Sequence, residues 1–77
     1  MNKDRRKRLG DIIAKLEELQ SEIQSLAEEE RECFDNMPEG LQESERGSAI
    51  EENADGLDET DSDLGSLLDT LNDIMER

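Results

Sequence analysis

The sequence predicts an all-α fold: an antiparallel two-helix coiled-coil hairpin that dimerises into a four-helix bundle. Three observations predict it. Apolar residues recur at alternating spacings of three and four through both halves, a connector containing Pro38 and Gly40 separates the halves, and a composition with 42% charged residues and one aromatic leaves little material for a globular core. The single domain 1–77 divides into a helix over 3–35, a loop over 36–43 and a second helix over 44–76.

In the first helix the seam falls at 9, 12, 16, 19, 23, 26, 30, 33 and 37, and its apolar members include Leu9, Ile12, Leu16, Leu19, Ile23 and Leu26. Glu30 is its one charged member. Ile13, Ala27 and Phe34 each follow a seam residue and widen the stripe. The second helix repeats the pattern at 50, 54, 57, 61, 64, 68, 71 and 75, carrying Ile50, Leu57, Leu64, Leu68 and Leu71, with Asp61 as its charged interruption. Leu67 and Ile74 widen this stripe in turn, beyond what one neighbouring helix covers, which is the reason to expect a homodimer.

Pro38 cannot continue a helix and disfavours the helical conformation at Met37, so the first helix ends before it. Ser48 with Glu51 forms a capping box for the second helix, and Ser44 offers an earlier start. Gly56 and Gly65 weaken that helix by about 1 kcal/mol each relative to alanine, so it depends on packing.

The segment DGLDETDSDLGSLLD, 55–69, is dense enough in aspartate to suggest a calcium loop. Starting the loop at Glu59 puts Leu64 where the turn glycine belongs and Thr70 where the bidentate glutamate belongs; starting it at Asp61 puts Asn72 at that last position. The segment therefore reads as helix, and no metal or other cofactor is expected. Catalysis is not expected either, because there is no histidine and the lone Cys33 has no base to activate it. A single cysteine fits a reducing compartment, and no apolar run has the length of a membrane span or signal segment.

Charge is unevenly distributed. Lys3, Arg5, Arg6, Lys7 and Arg8 against Asp4 give residues 1–8 a net +4, which leaves −18 for residues 9–77 out of the total −14. With the turn near 39–40, Lys3 would face Glu76 and Arg6 would face Asp73, so the basic block neutralises the acidic end of the second helix. The acidic body repels nucleic acid and membranes and attracts basic clefts.

The stretch ERECFDNMPEGLQESERGSAIEENADGL resembles a group of small acidic proteins encoded by bacteriophages and prophages, in which an aromatic-Asp-Asn-Met/Leu-Pro-Glu-x-Leu-Gln-x-Ser-Glu-Arg connector joins two helices. The match spans Phe34 to Arg46. The resemblance implies a helical hairpin of phage origin without enzymatic activity, acting in the cytoplasm of the host bacterium.

Two functions fit these features. In the first, the chain inhibits a host DNA-binding or nucleic-acid-processing enzyme by DNA mimicry, with Glu17, Glu18, Glu22, Glu28, Glu29 and Glu32 on the first helix and Glu51, Glu52, Asp55, Asp58, Glu59, Asp63 and Asp69 on the second presented to a basic DNA-binding cleft. In the second it is a structural or adaptor coiled coil that binds a partner protein through its apolar seam. An acidic face on a coiled coil is also, commonly, a solvated face and nothing more.

Overall fold

A computed structural model describes residues 1–77. It is a narrow rod with Cα extents of 58 × 15 × 12 Å, built from α1 (Lys3–Asp35), α2 (Glu39–Gln42) and α3 (Glu45–Glu76). The two long helices pack antiparallel along most of their length. No helix is long and apolar enough to cross a membrane.

Asn2 starts α1, its side-chain oxygen accepting from the Arg5 amide at 2.8 Å. α1 stops at Asp35, three residues ahead of Pro38. The connector is more ordered than a loop: Pro38 opens the single turn of α2, and Gln42 Nε2 donates to the Phe34 carbonyl at 2.9 Å, tying that turn to the end of α1. Of the two candidate caps for the next helix, Ser44 is the one used. Its hydroxyl accepts from the Gly47 amide at 3.3 Å and donates to the Leu41 carbonyl.

Gly47 is buried where the first turn of α3 meets the connector, and a Cβ there would stand 2.6 Å from the Leu41 carbonyl oxygen. The connector thus occupies the start of α3, which moves the pairing with α1 toward later α3 residues. Gly10 lies beside Met75, Gln20 beside Gly65, and Arg31 beside Asp58. This register differs from the expected facing of Lys3 with Glu76 and Arg6 with Asp73. α3 ends level with the second turn of α1, and the ion pairs within 4.0 Å are Arg8 with Asp4, inside α1, and Arg31 with Asp58, between the helices.

The buried core is small: Ile13 and Ala27 from α1, Ala54 and Leu68 from α3. On α3 the inward line is Gly47, Ile50, Ala54, Leu57, Asp61, Leu64, Leu68, Leu71 and Met75, the sequence-derived seam extended by one position. On α1 it is Leu9, Ile13, Leu16, Gln20, Ile23, Ala27, Glu30 and Phe34, continued by Met37 in the connector. Alternate members have moved one residue from the expected seam, and Ile12, Leu19, Leu26 and Cys33 lie outside the helix–helix interface. The cause is that α1 carries two adjacent apolar lines, each satisfying the three–four alternation, and one neighbouring helix can cover one of them.

The charged interruptions do not become buried charges. Glu30 and Asp61 are half-exposed, Gln24 Nε2 donates to the Asp61 carboxylate at 3.0 Å, and no buried side-chain polar atom lacks a partner.

Candidate functional site

The two inward lines give the hairpin two distinct flanks. In an antiparallel pair, residues that follow the core line on each helix share one side, and residues that precede it share the other. The first side is polar, with Gly10, Glu17, Gln24 and Arg31 of α1 opposite Glu51, Asp58, Gly65 and Asn72 of α3. Arg31 reaches across it to Asp58.

The second side carries Arg5, Ile12, Leu19, Leu26 and Cys33 of α1 with Arg46, Asn53, Thr60, Leu67 and Ile74 of α3. Two surface grooves lie along it. One brings Leu26 together with Glu30, Glu52, Asn53, Leu57 and Thr60, and the other is lined by Arg5, Arg8, Leu9 and Ile12. None of these ten flank positions is acidic, although 23 of the 77 residues are. The depletion sets this flank apart from the rest of the rod's surface.

Ile12, Leu19, Leu26 and Leu67 are 50%, 51%, 51% and 47% exposed. Covering the remaining surface of side chains this size contributes on the order of 1 kcal/mol each, a large quantity for a hairpin whose core includes two alanines. The register places Leu67 level with Leu19 and Ile74 level with Ile12. The rim beside the stripe on α1 reads Arg8, Lys15, Glu22 and Glu29, two cations followed by two anions at seven-residue spacing, all exposed.

The acidic residues expected to form a single binding face are exposed but divided. Glu17, Glu51 and Asp58 lie on the polar flank; Glu18, Glu28, Glu32, Asp55, Glu59 and Asp69 point away from the partner helix; Glu22, Glu29 and Asp63 border the apolar flank, as does Glu52, which lines its groove. Asp58 is also engaged by Arg31, which removes it from a freely presented set. A local acidic cluster remains at Glu51, Glu52 and Asp55 beside Ser48.

At the closed end a cup of Cys33, Asn36, Met37, Pro38, Leu41, Ser44, Arg46 and Ile50 opens to solvent, and Leu41 is 52% exposed at its edge. Sequence reasoning located the apolar residues of α1 but not the flank they form, nor the order of charges on its rim. The signal for both lies in the heptad offset between 12/19/26/33 and 13/20/27/34. The chain matches no protein-family model, no curated protein and no solved structure.

Proposed function

We propose that the protein is a small phage accessory protein that inhibits a host DNA-binding or nucleic-acid-processing enzyme by DNA mimicry, working as a pair of hairpins. The observation that carries this reading is the distribution of charge on the rod. Every carboxylate except those of Glu30 and Asp61 is exposed, and they are spread over the polar flank, the outer faces of both helices and the border of the apolar flank.

Two copies side by side carry twice the net charge of −14 along 58 Å, about one charge per 2 Å, against about one per 1.7 Å of duplex DNA. A single hairpin has half that density. A rod of this kind enters a basic channel as a polyanion and displaces the anions the channel retains, so affinity falls steeply as salt rises. The phage assignment comes from the connector Phe34 to Arg46.

A second reading, an adaptor that binds a partner protein, is favoured by one observation: the exposed stripe Ile12, Leu19, Leu26 and Leu67. Capture from host lysate at low and high salt, with added duplex DNA, separates the two. A mimic's target is released by salt and by DNA. A target retained in high salt and indifferent to DNA overturns mimicry and favours the adaptor.

A further inference from the structure

We infer that the apolar flank is covered by a second copy of this chain lying antiparallel, with the two-fold axis passing between the Leu19 side chains and α1 packed on α1. The inference rests on the reading that two hairpins pair, and deepens it by fixing the face, the direction and the register.

The stripe and its rim are self-complementary about nearly the same point, Leu19 for the stripe and half a residue before it for the rim. Ile12, Leu19 and Leu26 are evenly spaced, so reversing the helix about Leu19 lays Ile12 on Leu26 of the second copy and Leu19 on Leu19. The same reversal sets the rim Arg8, Lys15, Glu22 and Glu29 opposite itself in reverse order. Arg8 meets Glu29 and Lys15 meets Glu22, twice over, and each cation of one copy finds an anion of the other. A parallel pairing, whose two-fold runs along the rod, would put the two rims on opposite sides of the contact, and none of these four attractive contacts would form.

The grooves obey the same symmetry. The basic one at Arg5 and Arg8 lies on one side of Leu19, and the acidic one at Glu30 and Glu52 lies on the other at a matching separation. The pairing therefore seats the basic N-terminal turns of one copy over the acidic groove of the next. This gives partners on a second helix to cations that make no ion pair with α3, Arg8 pairing only with Asp4 of its own helix. Leu67, level with Leu19, completes a layer of four leucines on the axis.

The size of the core is an independent argument for a permanent partner. With four buried apolar residues, two of them alanine, a lone hairpin has too little burial for a chain of this size. Two copies overlap along nearly their whole length, because Leu19 is the midpoint of Lys3–Asp35.

Sedimentation equilibrium of four chains tests the arrangement. Wild type is expected at twice 8.8 kDa. Arg8→Glu/Lys15→Glu, whose rim is wholly acidic, is expected at the monomer mass. Adding Glu22→Lys/Glu29→Lys to that chain restores the antisymmetric rim with signs exchanged, and the dimer should return. The fourth chain, Arg5→Cys, reports direction through the native Cys33. Antiparallel copies give a disulfide between residue 5 of one chain and residue 33 of the other on mild oxidation, a link the ~42 Å along one helix forbids within a chain.

A monomeric wild type overturns the pairing of hairpins itself. A wild-type dimer that keeps its mass with the wholly acidic rim overturns the proposed face. A disulfide between Cys33 and Cys33 in the dimer overturns the antiparallel direction and leaves pairing intact.

Discussion

Gln20 of α1 donates its side-chain amide to the main-chain carbonyl of Asp61 in α3, at 3.2 Å. With the Gln24 bond to the Asp61 carboxylate, it forms a polar layer in the middle of a seam whose other charged member is Glu30. Such layers favour one register at a cost in stability. Gln20→Leu/Asp61→Leu is accordingly expected to stabilise the fold by about 1–2 kcal/mol through added apolar burial, measured by urea unfolding. The same variant should lose uniqueness of pairing, seen as broadened amide resonances. Lower stability in the variant would show that the amide bonds outweigh apolar packing there.

Three glycines of α3 separate helix propensity from packing. Nothing lies within 4 Å of a Cβ at Gly56, and at Gly65 the nearest atom is Gln20 Nε2 at 3.8 Å, ordinary contact. Gly56→Ala and Gly65→Ala should each raise stability by about 1 kcal/mol. At Gly47 the added carbon meets connector backbone, which cannot turn aside as a side chain does. Gly47→Ala should lower stability by about 1–3 kcal/mol despite the better propensity. Thermal melts of the three variants should therefore divide in sign, and a stabilised Gly47→Ala would remove the close approach of connector and helix.

How far the sequence discloses this molecule depends on which competing residues one neighbour can cover. The two long helices follow from periodicity and from Pro38, because those signals are local. α2 does not, since its four residues form a turn through the anchoring of Gln42 to the Phe34 carbonyl and the packing of Gly47, both contacts between segments. The seam of α3 is legible because one apolar line dominates it. The seam of α1 is ambiguous: Ile12 and Ile13, Leu26 and Ala27, Cys33 and Phe34 offer neighbouring lines, and hydrophobicity favours the line the hairpin leaves outside. Size misleads here, because the inward line includes Gln20 and Ala27, residues a pattern search scores low. The candidate binding faces were harder still, since a count of carboxylates carries no information on which side of a rod each one lies.

Calcium should leave the protein unchanged. Residues 55–69 lie within the continuous helix α3, where Asp61 is directed toward α1 and Asp63 away from it, so their carboxylates do not converge as loop ligands do. Titration to millimolar calcium should shift neither the circular dichroism nor the melting temperature. A saturable rise of several degrees would require these carboxylates to gather in a conformation other than this helix.

Salt should act on folding and on target binding with opposite signs. The chain carries 23 carboxylates against nine cations, and two ion pairs lie within 4.0 Å in each hairpin, one within α1 and one between the helices, both exposed. Exposed pairs of that kind are worth about 0–1 kcal/mol each. Repulsion among the unpaired carboxylates is therefore the larger electrostatic effect, and screening relieves it. Raising salt from about 0.02 M to about 0.5 M, which shortens the screening length several-fold, should increase the melting temperature by several degrees. The cross-dimer contacts of Arg8 and Lys15 work against this trend, and in Arg8→Glu/Lys15→Glu the stabilisation by salt should be larger than in wild type. Binding to a basic cleft should weaken over the same range, by about an order of magnitude for each phosphate-like contact made. Reversing Glu51, Asp55, Glu59 and Asp69 to lysine should abolish that binding while sparing the Arg31–Asp58 pair, the core line and the groove at Glu30 and Glu52, so the melting temperature rises or holds as repulsion falls. A wild-type melting temperature that drops with salt would mean that attractive contacts outweigh the carboxylate excess. Persistence of full inhibition in the fourfold variant would instead remove this stretch of α3 from the mimic surface.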